Sequence, residues 1–77
     1  MSKFIQTQCG SFLNLNNVVR ITYKLTKNQE YNEAMLEFVA FDIKDNQYLI
    51  LGICCKKEEI DNNYNILSNK LKEILDN

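Results

Sequence analysis

The chain has 77 residues, nine basic against ten acidic side chains, a net charge of −1 and no histidine. That length leaves room for a single domain, residues 1–77, with one modest core, so further stability has to come from disulfides, a metal or a partner subunit. Without histidine, Ser-His-Asp and Cys-His nucleophilic machinery is excluded within the chain, and no apolar run approaches the 18 residues a membrane span needs.

Lys3 to Gln8 is short and β-compatible, and Cys9-Gly10-Ser11 supplies a turn in which Gly10 can take a positive φ. Phe12 to Leu15 reads as a second strand, closed by Asn16-Asn17, since asparagine tolerates the left-handed conformations of tight turns. From Val18 to Thr26 the alternation is strict. Val19, Ile21, Tyr23 and Leu25 interleave with Arg20, Thr22, Lys24 and Thr26, which predicts a half-buried strand with one wet face. Lys27 to Glu33 is polar and without period, a flexible connection.

Ala34 to Ile43 and Tyr48 to Cys55 are apolar at both parities, separated by Lys44-Asp45-Asn46-Gln47. Asp45-Asn46 suits a type I′ turn, because both residues accept positive φ. Ile60, Tyr64, Leu67, Leu71 and Ile74 then step by four and three, with Leu75 widening the stripe and Ile66 off it. This is an amphipathic helix, with Glu58 and Glu59 near its start and Lys70 and Lys72 near its end, in the order the helix dipole favours. The sequence therefore predicts an α+β fold: an antiparallel sheet of four or five strands, arranged as a meander, with one C-terminal helix packed on one face. Strong curling is one way for such a sheet to cover its second face.

A two-residue turn at Asp45-Asn46 sets Ile43 opposite Tyr48, Phe41 opposite Ile50 and Val39 opposite Gly52. Leu36, Phe38, Ala40, Leu49, Leu51 and Ile53 then fall on the other face. Both faces are apolar, and a helix of about 18 residues, roughly 27 Å, shields only one. At about 25 cal/mol per Å², five or six large side chains left in water forgo on the order of 5 to 10 kcal/mol. Either the N-terminal strands fold over the second face, or it meets another molecule, with a homodimer first in line. The expected interface is Met35, Val39, Phe41, Ile43, Tyr48 and Ile50.

Candidates for chemistry are few. Cys9, Cys54 and Cys55 lack C-x₂-C spacing and a fourth ligand, so no metal is expected, and they read as buried free thiols of a reduced, cytoplasmic protein without a signal peptide. Glu58-Glu59 and Asp42/Asp45 lie where a helix start and a turn want acids, and Glu37, the one misplaced acid, is expected at a sheet end beside Arg20 or a lysine. Gly10 and Gly52 are too far apart in sequence to cradle a phosphate. Tyr23, Tyr31, Tyr48 and Tyr64 offer stacking surfaces but no basic groove accompanies them, which argues against nucleic acid. No catalytic residue and no cofactor are expected. Abundant Asn, Lys and Ile with no Pro or Trp fits the AT-rich coding of many bacteria and phages.

Phe12-Leu13-Asn14-Leu15-Asn16-Asn17-Val18-Val19-Arg20-Ile21 resembles a phrase of short bacterial and phage sheet proteins such as the small flagellar FlbD-like family. It covers ten residues, mostly hairpin grammar, and brings no function with it. The expectation is a non-enzymatic protein–protein interaction module, self-associating or bound to another protein, with no membrane contact. The alternatives are a phage-type inhibitor, antitoxin or small-ligand-sequestering protein, and a nucleic-acid-binding regulator.

Overall fold

A computed structural model describes residues 3–76. The elements in order are β1 (Phe4–Gln6), β2 (Phe12–Asn14), a 3₁₀ turn (Leu15–Asn17), β3 (Val18–Lys27), β4 (Glu33–Asp42), β5 (Gln47–Lys56), a second 3₁₀ turn (Lys57–Glu59) and α1 (Ile60–Asp76). The fold is α+β, as the two periods of the sequence imply.

The strands form two antiparallel sheets rather than one of four or five strands. β1 and β2 make a separate hairpin, while β3, β4 and β5 form a meander in that order, without strong curling. The division comes from Asn14, whose side chain accepts the amide of Asn16 at 3.0 Å and turns the chain into the 3₁₀ segment. An asparagine that engages its own backbone in this way competes with strand pairing. The expected tight turn between β2 and β3 is thus replaced by a corner.

Both β-sheet neighbours of β4 contain an extra residue. Val18 faces Asp42 and Arg20 faces Phe41, so Val19 bulges; Phe38 faces Leu51 and Val39 faces Leu49, so Ile50 bulges. The β4–β5 connection is also longer than predicted. The Asp42 carboxylate accepts the amides of Lys44 and Asn46, each at 2.9 Å, and among the non-glycine residues described only Asp45 has positive φ, at 62°. Phe41 consequently faces Gln47 and Glu37 faces Gly52, instead of the Phe41–Ile50 and Val39–Gly52 pairs expected from a two-residue turn.

One face of the meander is covered twice. Ala34, Leu36 and Phe38 pack with Leu67 and Ile60 of α1, together with Tyr23, Ile53 and Cys55. Towards the other end, Ala40 and Ile50 pack with Ile5 and Leu13 of the hairpin and with Leu71 and Ile74 of the helix. Ile21, Leu51 and Leu71 belong to both groups, so helix and hairpin lie side by side on the same face. Leu36 and Ile50 are fully buried; losing either side chain to alanine costs about 2–5 kcal/mol. The aromatic set Tyr23, Phe38 and Tyr64 closes the helix side, with Tyr23 and Tyr64 edge-on at 4.8 Å.

Candidate functional site

The other face of the meander has no layer over it. Strand alternation places Met35, Glu37, Val39 and Phe41 of β4 there, with Arg20, Thr22, Lys24 and Thr26 of β3 and Leu49, Gly52 and Cys54 of β5. Val39 belongs to neither of the two core groups. Its neighbours in the sheet leave it only 5% exposed, whereas Met35 is 42% exposed. The Arg20 guanidinium lies 4.1 Å from the centre of the Phe41 ring, and it also reaches Asp45 at 3.7 Å. Phe41 is therefore half-buried, with the cation set over its ring.

The six residues predicted as an interface do not form one surface. Met35, Val39 and Phe41 share the uncovered face. Ile50 is instead in the core, Tyr48 packs on the hairpin side, and Ile43 stands in the turn, 86% exposed. The bulge at Ile50 and the longer turn changed the parity on which that grouping depended. Leu49, assigned to the covered side, takes its place on the open one.

Glu37 lies mid-strand, opposite Lys24 on one side and Gly52 on the other, rather than at a sheet end. Among the described residues the one ion pair within 4 Å is Arg20–Asp45, so Glu37 pairs with neither Arg20 nor a lysine at that range. A Cβ built on Gly52 would lie 3.5 Å from the Glu37 Cγ. The Glu37 stem lies across the glycine. This leaves a shallow depression beside Gln8, Met35, Leu49 and Cys54.

Cys9 and Cys54 are exposed and Cys55 is half-buried, so two of the three thiols are not the core hydrophobes expected. The hydroxyl of Thr7 beside Cys9, 3.2 Å from its sulfur, together with the amide and hydroxyl of Ser11, lowers the Cys9 thiol to about 7. Burial raises that of Cys55. At the far end, Asn46 and Tyr48 both donate to the Asp42 carboxylate at 3.0 Å, holding it below its usual range while raising the Tyr48 phenol. These groups organise the turn. A cleft of about 440 Å³ beside them is lined by Leu13, Val19, Ile43 and polar side chains of the two turns.

A second apolar surface was missed by the sequence reading. Phe4 and Phe12 share the outer face of the β1–β2 hairpin, opposite Asn14 and Gln6 respectively, and are 59% and 71% exposed. Alternation carried the signal: once Ile5 and Leu13 enter the core, their neighbours Phe4 and Phe12 must point away from it.

Among the described residues no three His, Cys, Asp or Glu side chains converge as a metal site would need, and no helix is long and apolar enough to cross a membrane. The chain matches no known protein-family model, no curated protein and no solved structure.

Proposed function

We propose that the protein is a non-enzymatic protein–protein contact module that self-associates through the open face of the β3–β4–β5 meander. One observation carries this reading: both covering layers, the helix and the hairpin, lie on the same side. The opposite side nevertheless keeps Met35, Val39, Phe41 and Leu49 instead of the uniformly polar set that a solvated antiparallel face shows. A second copy is the occupant because a twofold contact uses one surface twice and closes. Gly52, on the edge strand β5, adds no side chain of its own to this face, and the Glu37 stem lies across it.

The test is Leu49→Lys together with Met35→Lys, read by light scattering on a sizing column and by circular dichroism. The expected result is a single-chain mass with the helix signal retained. Unfolding of both variants without a folded monomer would place these side chains in the protomer's own core. Phe4→Ser with Phe12→Ser separates the surfaces: that variant keeps the dimer if the meander face makes the contact, and loses it if the hairpin does.

A further inference from the structure

The two edges of the meander are treated differently. At the β5 edge the chain pairs with itself: the Gln8 amide donates to the Ile50 carbonyl at 3.1 Å, and the Gly52 amide donates to the Gln8 side-chain oxygen at 2.6 Å. Farther along β5, the Lys56 amide donates to the Glu59 carboxylate at the helix start. β3, the other edge, has no such cover. From Arg20 to Lys27 its register with β4 is unbroken, and among the described residues no strand lies on its outer side. Eight residues of backbone are thus presented as a template for another strand.

Charge and shape narrow the occupant. β3 holds three of the nine basic residues, Arg20, Lys24 and Lys27, and none of the ten acidic ones. Two copies of β3 paired antiparallel would bring six cations into one ladder with no anion, which like-charge repulsion across strands opposes. Lys24 and Lys27 make no ion pair within 4 Å among the described residues, although Glu37 is the sheet partner of Lys24. On the helix side the strand also offers Leu25, which is 40% exposed because the helix packs over β4 and β5.

We infer that the β3 edge docks an extended acidic segment of another protein, adding it as a fourth strand with acidic side chains on the Arg20/Lys24 face and apolar ones beside Leu25. The alternating donors and acceptors of a strand edge match a peptide backbone, and side-chain parity supplies the selectivity. The backbone pairing uses the β3 edge, whereas the dimer uses the open face on which Arg20 and Lys24 also stand, so the two contacts are told apart by separate substitutions, at Lys24 for the docked strand and at Leu49 for the dimer.

The probe is an end-capped peptide of alternating glutamate and valine, with the lysine–valine peptide as its control, added to the full chain and followed by amide hydrogen exchange and fluorescence anisotropy. The expected result is slowed exchange confined to β3, binding that weakens as salt rises, and a loss of about tenfold in affinity for Lys24→Glu. Lys24→Gln gives a smaller loss and shows that the fold tolerates the position. Equal binding of the lysine peptide, protection at Met35 and Leu49 instead of β3, or tighter binding of single-stranded DNA at the same strand would overturn the proposal.

Discussion

The side-chain oxygen of Gln8 accepts the amide of Gly52 at 2.6 Å, closing a loop of 44 residues onto the outer edge of β5. The backbone of Gln8 meets the same strand at Ile50, the residue that bulges, so one glutamine anchors the N-terminal hairpin where the sheet register slips. Gln8→Ala removes one exposed hydrogen bond and leaves the backbone contact. The expected loss is about 1 kcal/mol, a fall of roughly 4–8 °C in melting temperature, with faster exchange at the Gly52 amide. An unchanged melting temperature and unchanged exchange would show that the clamp contributes nothing.

Gly52 has ordinary strand backbone, and a methyl group placed on it makes normal contacts, 3.5 Å to Glu37 and Leu49 side chains and 3.6 Å to the Leu36 carbonyl. Gly52→Ala should therefore raise protomer stability by about 0.4–1 kcal/mol in a denaturant titration at low protein concentration, by restricting the unfolded chain. The same methyl stands on the proposed contact face, so dimer affinity should fall. A variant that is stabilised and associates as before would mean that no second backbone approaches this point.

How far the sequence could be read depended on whether a signal was local. The alternation from Val18 to Thr26 and the four-three spacing from Ile60 to Ile74 each reside in one segment, and both elements were legible with near-correct bounds, the strand running one residue further to Lys27. The β4–β5 register depends on where two segments meet. Nothing in Leu49-Ile50-Leu51 distinguishes a bulge from regular strand, since all three are apolar, and the extra residue moved Ile50 into the core and Leu49 onto the open face. The Asn14 corner was invisible for a similar reason, because asparagine serves both a tight turn and a 3₁₀ cap. The exposed Phe4 and Phe12 could have been inferred once Ile5 and Leu13 were assigned to the core, but in three-residue strands either parity is a plausible inner face.

Acid should loosen the β4–β5 turn. Asp42 titrates below the usual carboxylate range because Asn46, Tyr48 and the Lys44 amide hydrogen-bond its charged form. A carboxylate lowered on folding stabilises the native state above its unfolded pKa, and that contribution disappears as pH falls through the lowered folded value. Denaturant midpoints should thus drop below about pH 4, the unfolded aspartate range, and Asp42→Asn should show a shallower drop. Equal slopes for the two proteins would remove Asp42 from the acid response.

Cys9 should be the most reactive thiol. Its pKa is lowered to about 7, first by the Thr7 hydroxyl and then by the Ser11 amide and hydroxyl, and it is exposed, whereas burial raises the half-buried Cys55. Thr7 also donates to the Ser11 carbonyl at 3.2 Å, so ionisation of the thiol turns that hydroxyl towards sulfur. Alkylation of Cys9 should rise with an apparent pKa near 7 and shift upward in Thr7→Val, read by mass spectrometry of the modified peptides. Indistinguishable profiles for Cys9 and Cys55 would contradict the assigned environments.

Sedimentation equilibrium across a dilution series addresses the open face most directly, because it reads mass without a label or a surface. The expected result is the mass of two chains at high concentration, falling reversibly towards that of one on dilution, with Leu49→Lys held at one chain throughout. A single-chain mass for the unmodified protein at every concentration would mean that no second copy covers the Met35, Val39, Phe41 and Leu49 side of the sheet.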